Sequence, residues 1–231
     1  MGDGRAVTEN EARKIYVDAA RSYLGFSEAS GKHRKIIDLY NTGNLPRGYR
    51  LTYADPWCCA FDSAVAQQCG MLNIIPKECG CEEQIKLWQK MERWCEDDGY
   101  IPKPGDLAYY DWEDDGTGDC KGEADHVGIV EKVSEGTIHV IEGNRYDSVD
   151  YRYIKVNDRY LRGFGLPNFK WWAEQQTKSE PKPEPWYIRD GSWQEATRLG
   201  LFDGNRPTAN ITRAEAAVVA LRILKLAKGG E

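Results

Sequence analysis

The sequence predicts an α+β domain followed by a small helical unit. Helical spacing dominates the first part of the chain, where Thr8 and Glu11 form a predicted capping box and residues 57–69 and 82–95 form two further predicted helices. Beyond residue 100 the pattern alternates with a period of two, which predicts strands in PKPGDLAYYDW, DHVGIVEKV, TIHVIEG and VDYRYIKV. Helices followed by antiparallel strands are typical of the α+β class.

Composition divides the chain into three predicted segments. Residues 8–169 carry the α+β pattern, and residues 170–185 include the polar run AEQQTKSEPKPEP, whose Lys, Glu and Pro favour an extended linker. Residues 186–231 follow the order helix, Gly-rich loop, helix, with a second capping box at Thr212 and Glu215. So small a unit buries little core on its own. Self-association would enlarge that core, so a homo-oligomer is one expectation.

Charge and hydropathy exclude several functional classes. The chain has a formal charge of −6 and no basic stripe, which argues against nucleic acid as a partner. It also contains no run of about 18 apolar residues, so no membrane span is expected. The N-terminal sequence MGDGRAVTENEARK lacks the basic and apolar regions of a secretory signal, which predicts a protein made and kept in a cytosol.

The chain contains seven cysteines, an odd number that rules out complete internal pairing. In a cytosolic protein we expect them to be mostly reduced. Cys79 and Cys81 form C-G-C, and with Cys95 and Cys120 they offer four thiolates for zinc. The paired C-x-x-C spacing of such sites is missing, so scattered structural thiols are the favoured interpretation.

Two adjacent cysteines, Cys58 and Cys59, lie at the start of the predicted helix 57–69. The helix dipole and the free N–H groups of the first turn favour a thiolate, which is the nucleophilic form. The same N–H groups can stabilise an oxyanion during acyl transfer. The alternative is that both cysteines are small buried side chains of an ordinary core.

Three histidines are candidates for the base that such a nucleophile needs. His33 lies in the charged segment GKHRK and is predicted to be solvated. His126 and His139 lie on the two strands of a predicted hairpin.

The predicted hairpin turn brings one histidine close to polar partners. A three-residue loop at Ser134-Glu135-Gly136 would place His126 opposite Asn144 and Gly128 opposite Glu142, while His139 faces the other side. An imidazole oriented by a carboxylate or amide is the arrangement that activates a thiol. A plain hydrogen-bonded pair on a half-buried sheet is equally compatible with the spacing.

Five segments in order carry a family resemblance. They are WCCAF at 57–61, PGDLAYYDW at 104–112, DHVGIV at 125–130, IEGN at 141–144 and GFGLP at 163–167. Together they closely resemble the CHAP family of cysteine- and histidine-dependent amidohydrolases and peptidases, over roughly residues 10–169. The resemblance implies a papain-like fold, in which N-terminal helices pack on an antiparallel sheet.

The resemblance also implies roles for individual residues. Cys58 corresponds to the nucleophile and His126 to the catalytic histidine, while Glu142 and Asn144 correspond to orienting and polarising groups. Cys59 departs from the family, whose members usually carry a small residue there. Helical geometry turns Cys59 about 100° away from Cys58, so we expect it to fill a core position.

The family resemblance implies covalent hydrolysis of a peptidoglycan amide, with no cofactor required. The bond is either the N-acetylmuramoyl-L-alanine amide or one within the wall peptides, and the sequence does not decide between them. We expect an endolysin that stays in the host cytoplasm until holin-dependent release and then acts on Gram-positive walls. The alternatives are a papain-like amidase acting on another peptide or conjugate, and a non-catalytic wall-binding protein.

Two further segments suggest ligands. The acidic segment DWEDDGTGD offers Asp111, Asp114 and Asp115 as calcium ligands, although its spacing departs from the EF-hand loop and a solvated acidic loop is favoured. The C-terminal unit resembles part of an S-layer homology repeat, a module that binds anionic wall polymers. That resemblance makes Arg213 a candidate polymer contact, and a simple helix start is the alternative.

Overall fold

The structure of the protein is a computed structural model that describes residues 7–97, 99–114, 120–179, 192–201 and 213–227. The chain divides into two compact units, Met1–Lys178 and Ser179–Glu231. The first unit combines helices with a six-stranded antiparallel sheet, so the predicted α+β class is confirmed. No helix in the described ranges is long and apolar enough to cross a bilayer.

The helices of the first unit are α1 (Glu9–Arg21), α2 (Arg34–Tyr40), α3 (Cys58–Gln68), α4 (Cys81–Lys90) and α5 (Phe169–Ser179), with a 3₁₀ turn at Pro46–Gly48. The predicted capping box opens α1: Thr8 Oγ1 accepts from the Glu11 amide at 3.2 Å, and Glu11 Oε2 accepts from the Thr8 amide at 2.8 Å. Residues 170–179 of the predicted linker belong to α5, so this part of the segment is helical and not extended.

The sheet contains six strands in the order β1-β6-β2-β3-β4-β5, and every neighbouring pair is antiparallel. The strands are β1 (Trp94–Cys95), β2 (Leu107–Tyr110), β3 (His126–Ser134), β4 (Thr137–Arg145), β5 (Ser148–Lys155) and β6 (Leu161–Gly165). The predicted helix 82–95 is therefore too long, since α4 ends at Lys90 and its last two predicted residues form the edge strand β1.

The hairpin β3–β4 differs from its prediction at the turn. Its loop has two residues, Glu135 and Gly136, both with positive φ (50° and 69°), so Ser134 lies opposite Thr137. The predicted three-residue loop is wrong. A bulge between Val130 and Lys132 adds one residue to β3 and brings Ile129 opposite Ile141. Beyond the bulge the strands have the register that the sequence predicted.

Helix α3 is buried over its first nine residues, Cys58–Ala66, and lies against β3 and β4. Its close approach to the sheet depends on Gly143 in β4. A Cβ atom at that position would lie 2.4 Å from Phe61 Cβ and 3.0 Å from Trp57 Cζ3, which real contacts do not allow. The glycine of the I-E-G-N motif therefore lets the first turn of α3 pack directly on the end of β4.

The second unit contains α6 (Ser192–Arg198) and α7 (Arg213–Ala227). Arg222 Nη1 donates to the carbonyl oxygens of Gly200 and Leu201, both at 2.9 Å, and so joins α7 to the end of α6. Several apolar side chains of α7 are exposed, namely Val218, Leu221, Ile223 and Leu224. Thr212 of the predicted second capping box lies outside the described residues.

Candidate active site

Cys58 is the first residue of α3, and its side chain is only 7% exposed. The preceding residue, Trp57, is fully buried, and its indole Nε1 donates to Glu28 Oε1 at 3.1 Å. This contact and the packing of α3 on Gly143 fix where the helix begins. Cys58 therefore lies at the positive end of the helix dipole, in the turn whose N–H groups have no partner within the helix.

His126 is the first residue of β3 and pairs with Tyr110 of β2. On one side its ring lies close enough to Cys58 that each group shifts the pKa of the other. On the other side its Nε2 lies 3.1 Å from Glu142 Oε2. Because Nε2 is used by the carboxylate, Nδ1 is the ring nitrogen left for the thiol. The structure thus brings three of the predicted site residues together, and two of them, His126 and Glu142, are hydrogen-bonded.

Gly128 makes room for the Glu142 carboxylate. A Cβ atom at Gly128 would lie 2.6 Å from Glu142 Cγ and 2.6 Å from Val140 Cγ1. Any larger residue would push the Glu142 side chain off this position. The Glu142 side chain occupies the space that a side chain at position 128 would fill. The glycine of the D-H-V-G motif is therefore needed for the position of Glu142.

Glu142 is fully buried and has a second partner that the sequence reasoning missed. Arg152 of β5 donates from Nε to Glu142 Oε1, and its guanidinium lies 4.5 Å from the centre of the Trp112 ring and 5.3 Å from that of Tyr110. These two rings stack on each other at 4.8 Å, and the His126 ring stacks on Tyr110 at 6.1 Å. A stack of aromatic and cationic groups thus encloses the His–Glu pair.

A bulge in β4 explains why Arg152 meets Glu142. The β4–β5 pairing shifts between Glu142 and Arg145, where Asn144 has a left-handed backbone (φ 57°). The shift places Arg152 opposite Val140, which lies on the same face as Glu142. Without the extra residue, Arg152 would face the other side of the sheet.

The charges of the site support one another. Burial lowers the pKa of His126, but its interactions with Cys58 and Glu142 outweigh that effect and raise the pKa to about 9. Burial raises the pKa of Glu142, but the hydrogen bonds and charges of His126 and Arg152 outweigh it and hold that pKa below its ordinary value. At neutral pH the site therefore contains an imidazolium next to an ionised carboxylate.

The Cys58 thiol has a third neighbour, Cys81, whose Sγ lies 3.7 Å from its own. The hydrogen bond with Cys81 and burial raise the pKa of Cys58 well above its ordinary value, while the His126 ring acts in the opposite direction. The neighbouring Cys59 is fully buried, and its thiol donates to Gln84 Oε1 at 3.3 Å. Cys59 therefore occupies a core position, turned away from the His–Glu pair.

The other predicted residues lie apart from the Cys–His–Glu group. Asn144 is half-buried at the bulge, and within the described part of the chain its side chain makes no hydrogen bond to His126. His139 packs edge-on against Tyr153, with ring centres 4.9 Å apart. The prediction of a solvated His33 is wrong: the residue is 4% exposed and its Nε2 lies 3.2 Å from the Tyr53 carbonyl oxygen.

The acidic segment is only partly described. Asp111 is buried rather than solvated, and its Oδ1 accepts from the Glu113 amide at 2.9 Å. Asp114 lies 3.7 Å from Arg159 Nε, and Asp115 lies outside the described residues. Among described residues, no group of three or more His, Cys, Asp or Glu side chains is placed to hold a metal ion. The candidate zinc thiolates and calcium carboxylates are therefore not grouped as a metal site among these described residues.

The candidate polymer contact, Arg213, is the first residue of α7, and its side chain lies outside the described part of the structure. Its assignment as a wall-polymer contact stays a prediction.

Comparison with known proteins gives one match. Residues 48–144 match the CHAP domain. The match covers less than half of the chain, and it includes Cys58, His126, Glu142 and Asn144. It supports membership of the CHAP family and indicates a cysteine- and histidine-dependent amidohydrolase or peptidase. Searches of curated proteins and of solved structures found no match.

The architecture agrees with this match. A helix that begins at a buried cysteine packs on an antiparallel sheet whose first histidine reaches that cysteine, which is the papain-like arrangement expected of a CHAP domain.

Proposed function

We propose that this protein is a peptidoglycan hydrolase that cleaves an amide bond of Gram-positive cell walls with Cys58 as nucleophile. The observation that carries the proposal is the proximity of Cys58, His126 and Glu142 at the N-terminus of α3, within the region that matches the CHAP domain: His126 Nε2 lies 3.1 Å from Glu142 Oε2, and Cys58 and His126 shift each other's pKa. A thiol, an imidazole and an orienting carboxylate in contact are the parts that covalent amide hydrolysis requires.

In the first half of the reaction, the Cys58 thiol first loses its proton to solvent, which leaves a thiolate next to the His126 imidazolium. Cys58 Sγ then attacks the carbonyl carbon of the amide. The carbonyl oxygen gains negative charge, which the first-turn N–H groups of α3 are placed to stabilise. His126, protonated at neutral pH because of its raised pKa, then gives its proton to the amine nitrogen. The C–N bond breaks, the amine leaves, and the acyl group stays on Cys58 as a thioester.

In the second half, a water molecule takes the place of the amine. Neutral His126 accepts a proton from this water while the oxygen attacks the thioester carbon. The C–S bond breaks, the carboxylic acid leaves, and the Cys58 thiolate and the imidazolium return. Glu142 stays ionised throughout and holds the ring through Nε2, so that Nδ1 keeps facing the sulfur.

The aromatic stack beside the site gives a place for the groups that flank the amide. A shallow cavity of about 430 Å³ adjoins the stack and is lined by Trp112, Arg152, Tyr153, Ile154, Asp158 and Tyr160. Flat aromatic faces with a few charged groups suit sugar rings and short peptides. We therefore expect the glycan or peptide next to the scissile bond to contact these residues.

The endolysin role, with release from the host cytoplasm by a holin, and a wall-binding role of the second unit through Arg213 are further parts of the proposal. We expect catalysis to need no cofactor, and calcium binding at Asp111 and Asp114 is a separate question for titration.

The test uses purified Gram-positive walls and the full chain. We expect loss of turbidity with the wild type, a loss of activity of at least about a thousandfold in Cys58→Ala, and activity retained in Cys69→Ala, a cysteine at the far end of α3. Mass spectrometry of the digest then identifies the bond: a new L-alanine amino group indicates an amidase, and a new stem or cross-bridge terminus indicates an endopeptidase.

Two results would contradict the proposal. Walls that release no new amine or carboxyl terminus, together with cleavage of a non-wall amide, would indicate a papain-like amidase with another substrate. Wall binding without any hydrolysis, together with a Cys58 that a thiol reagent labels no faster than the other cysteines, would indicate a non-catalytic binding protein.

A further inference from the structure

Cys81 is a buried thiol that the proposed mechanism does not use, although it is in van der Waals contact with the nucleophile. Its Sγ lies 3.7 Å from Cys58 Sγ, and each of the two residues is 7% exposed. A disulfide bond has a sulfur–sulfur distance of about 2.05 Å, so the two atoms need to approach by less than 2 Å to become bonded. Rotation of two side chains covers a distance of that size.

The two sulfurs lie at the starts of two helices. Cys58 is the first residue of α3, and Cys81 is the first residue of α4, so the positive ends of both helix dipoles meet at the pair. Both helices are at least ten residues long. The pKa of both thiols is raised well above its ordinary value, so the thiolate, which is the form that peroxides oxidise, is the minor form, and the positive helix ends act in its favour.

The backbone around Cys81 is tied to α3, which keeps the sulfurs adjacent. Ser63 Oγ donates to the Glu78 carbonyl at 2.8 Å and accepts from the Glu78 amide at 3.0 Å. Arg47 Nη2 lies 2.7 Å from Glu78 Oε1, and Gln84 Nε2 donates to Asp62 Oδ2 at 2.9 Å. The bonds of Ser63 and Asp62 join both sides of the Cys81 segment to α3, and the Arg47 bond ties Glu78 to the 3₁₀ turn, so the contact between the thiols does not depend on a loose loop.

We propose that Cys58 and Cys81 form a thiol modification site, at which a peroxide joins them in a disulfide. In the first step the Cys58 thiolate attacks one oxygen of hydrogen peroxide; an S–O bond forms, the O–O bond breaks, and hydroxide leaves. This step oxidises Cys58 by two electrons to a sulfenic acid. In the second step Cys81 Sγ attacks Cys58 Sγ; the S–S bond forms, the S–O bond breaks, and the departing hydroxide takes the Cys81 proton to become water.

The consequence for activity rests on the proposed function. A disulfide at Cys58 removes the nucleophile, so hydrolysis stops until a dithiol reductant restores both thiols. Without Cys81, the sulfenic acid has no partner in contact on that side and proceeds to the sulfinic acid, which dithiothreitol does not reduce. Cys81 therefore makes the oxidation of the nucleophile reversible.

The experiment measures mass and activity separately on the full chain. Reduced protein is treated with hydrogen peroxide, its remaining thiols are alkylated, and tryptic peptides are analysed. We expect the peptide 51–77 joined to the peptide 78–86, with the bond assigned to Cys58 by fragmentation and by its absence in Cys58→Ala. A bond that persists in Cys58→Ala and disappears in Cys59→Ala would overturn the assignment.

Recovery of activity is the second readout. After peroxide and then dithiothreitol, we expect the wild type and the control Cys69→Ala to regain their starting wall-lysing activity. For Cys81→Ala and Cys81→Ser, we expect the fraction of starting activity that returns to be at least about fivefold smaller than the fraction that returns in the wild type. Equal recovery in these variants and the wild type would contradict the inference. Because the cross-link is detected by mass, a protein that cross-links but never hydrolyses walls would contradict the proposed function alone.

Discussion

Replacing Glu142 by Gln removes the charge that holds His126 while keeping the size of the side chain. The pKa of His126 rises from 6.5 to about 9 in the folded protein, which corresponds to about 3 kcal/mol in favour of the imidazolium. Burial acts against this rise, so Cys58 and Glu142 together supply more than that amount. Cys58 is the larger of the two causes, and the share of Glu142 is on the order of 1–2 kcal/mol.

The expected result of Glu142→Gln follows from that share. The pKa of His126 falls by about one unit, and the alkaline limb of kcat/KM against pH moves down by the same amount, because the imidazolium that protonates the leaving amine is lost earlier. The rate at neutral pH falls by about 100-fold or more, since the ring loses the partner that fixes its orientation.

Nuclear magnetic resonance of the three histidines measures this pKa directly, and His126→Ala identifies the signal. Glu131→Gln is the matched control, because Glu131 is also a sheet carboxylate with an arginine and a tyrosine partner, Arg21 at 2.7 Å and Tyr151 at 2.8 Å. If His126 still titrates near 9 in Glu142→Gln, or if Glu131→Gln lowers its pKa equally, the electrostatic argument is refuted.

Three more predictions follow from the same contacts. Arg152→Met lowers kcat by about tenfold with little change in KM and raises the pKa of Glu142, so the acid limb moves to higher pH, and Arg152→Lys restores part of both; an unmoved acid limb would indicate a purely structural role. Asn144→Ala costs about 1–2 kcal/mol in thermal or urea unfolding while Asn144→Gly costs less, because position 144 is left-handed; equal losses would argue against the bulge. From pH 6.5 to 9 the free energy of unfolding loses up to about 3 kcal/mol from His126, whose raised pKa stabilises the fold below that window, and the loss is absent in His126→Ala.

Local patterns predicted the elements that carry the site. The capping box at Thr8 and Glu11 marks the start of α1, and period-two alternation found β2 to β5, because both signals depend only on neighbours along the chain. The start of α3 at Cys58 was also predicted to within one residue. Helix α2 was missed, because its seven residues, RKIIDLY, make too few turns for a helical period to be recognised.

Tertiary contacts caused the errors at His33 and Asp111. His33 has Lys and Arg on both sides in the sequence, which suggested solvent, but its ring packs near Trp57 with centres 6.0 Å apart. Asp111 lies in an acidic run, but its side chain folds back to its own loop and accepts from the Glu113 amide. In both cases the charged residues nearby suggest solvent while the side chain itself faces inward, and composition cannot distinguish the two directions.

The alternation of apolar and polar residues along a strand does not reveal bulges. Two bulges, in β3 and in β4, determine which side chains meet at this site. The bulge in β3 compensates for the wrong turn, so the expected placement of His126 near Glu142 was correct for an incomplete reason. The bulge in β4 is the more consequential one, because counting from the two-residue turn at Tyr146 and Asp147 would place Arg152 opposite Ile141, on the face that does not carry Glu142.

A buried carboxylate in the sequence pattern could have indicated the bulge in β4 and the missing partner Arg152. Glu142 is fully buried and ionised next to one imidazolium, and burial of a charge costs several kcal/mol unless it is paired and hydrogen-bonded. The I-E-G-N motif therefore calls for a further cation on the adjacent strand, and Arg152 is the arginine in the middle of β5. The register that brings Arg152 onto the face of Glu142 requires one extra residue in β4, at a position able to adopt a left-handed backbone. Asn144, an Asn directly after a Gly, is the residue that the requirement selects, so the motif's amide has a structural reason to be there whether or not it touches the substrate.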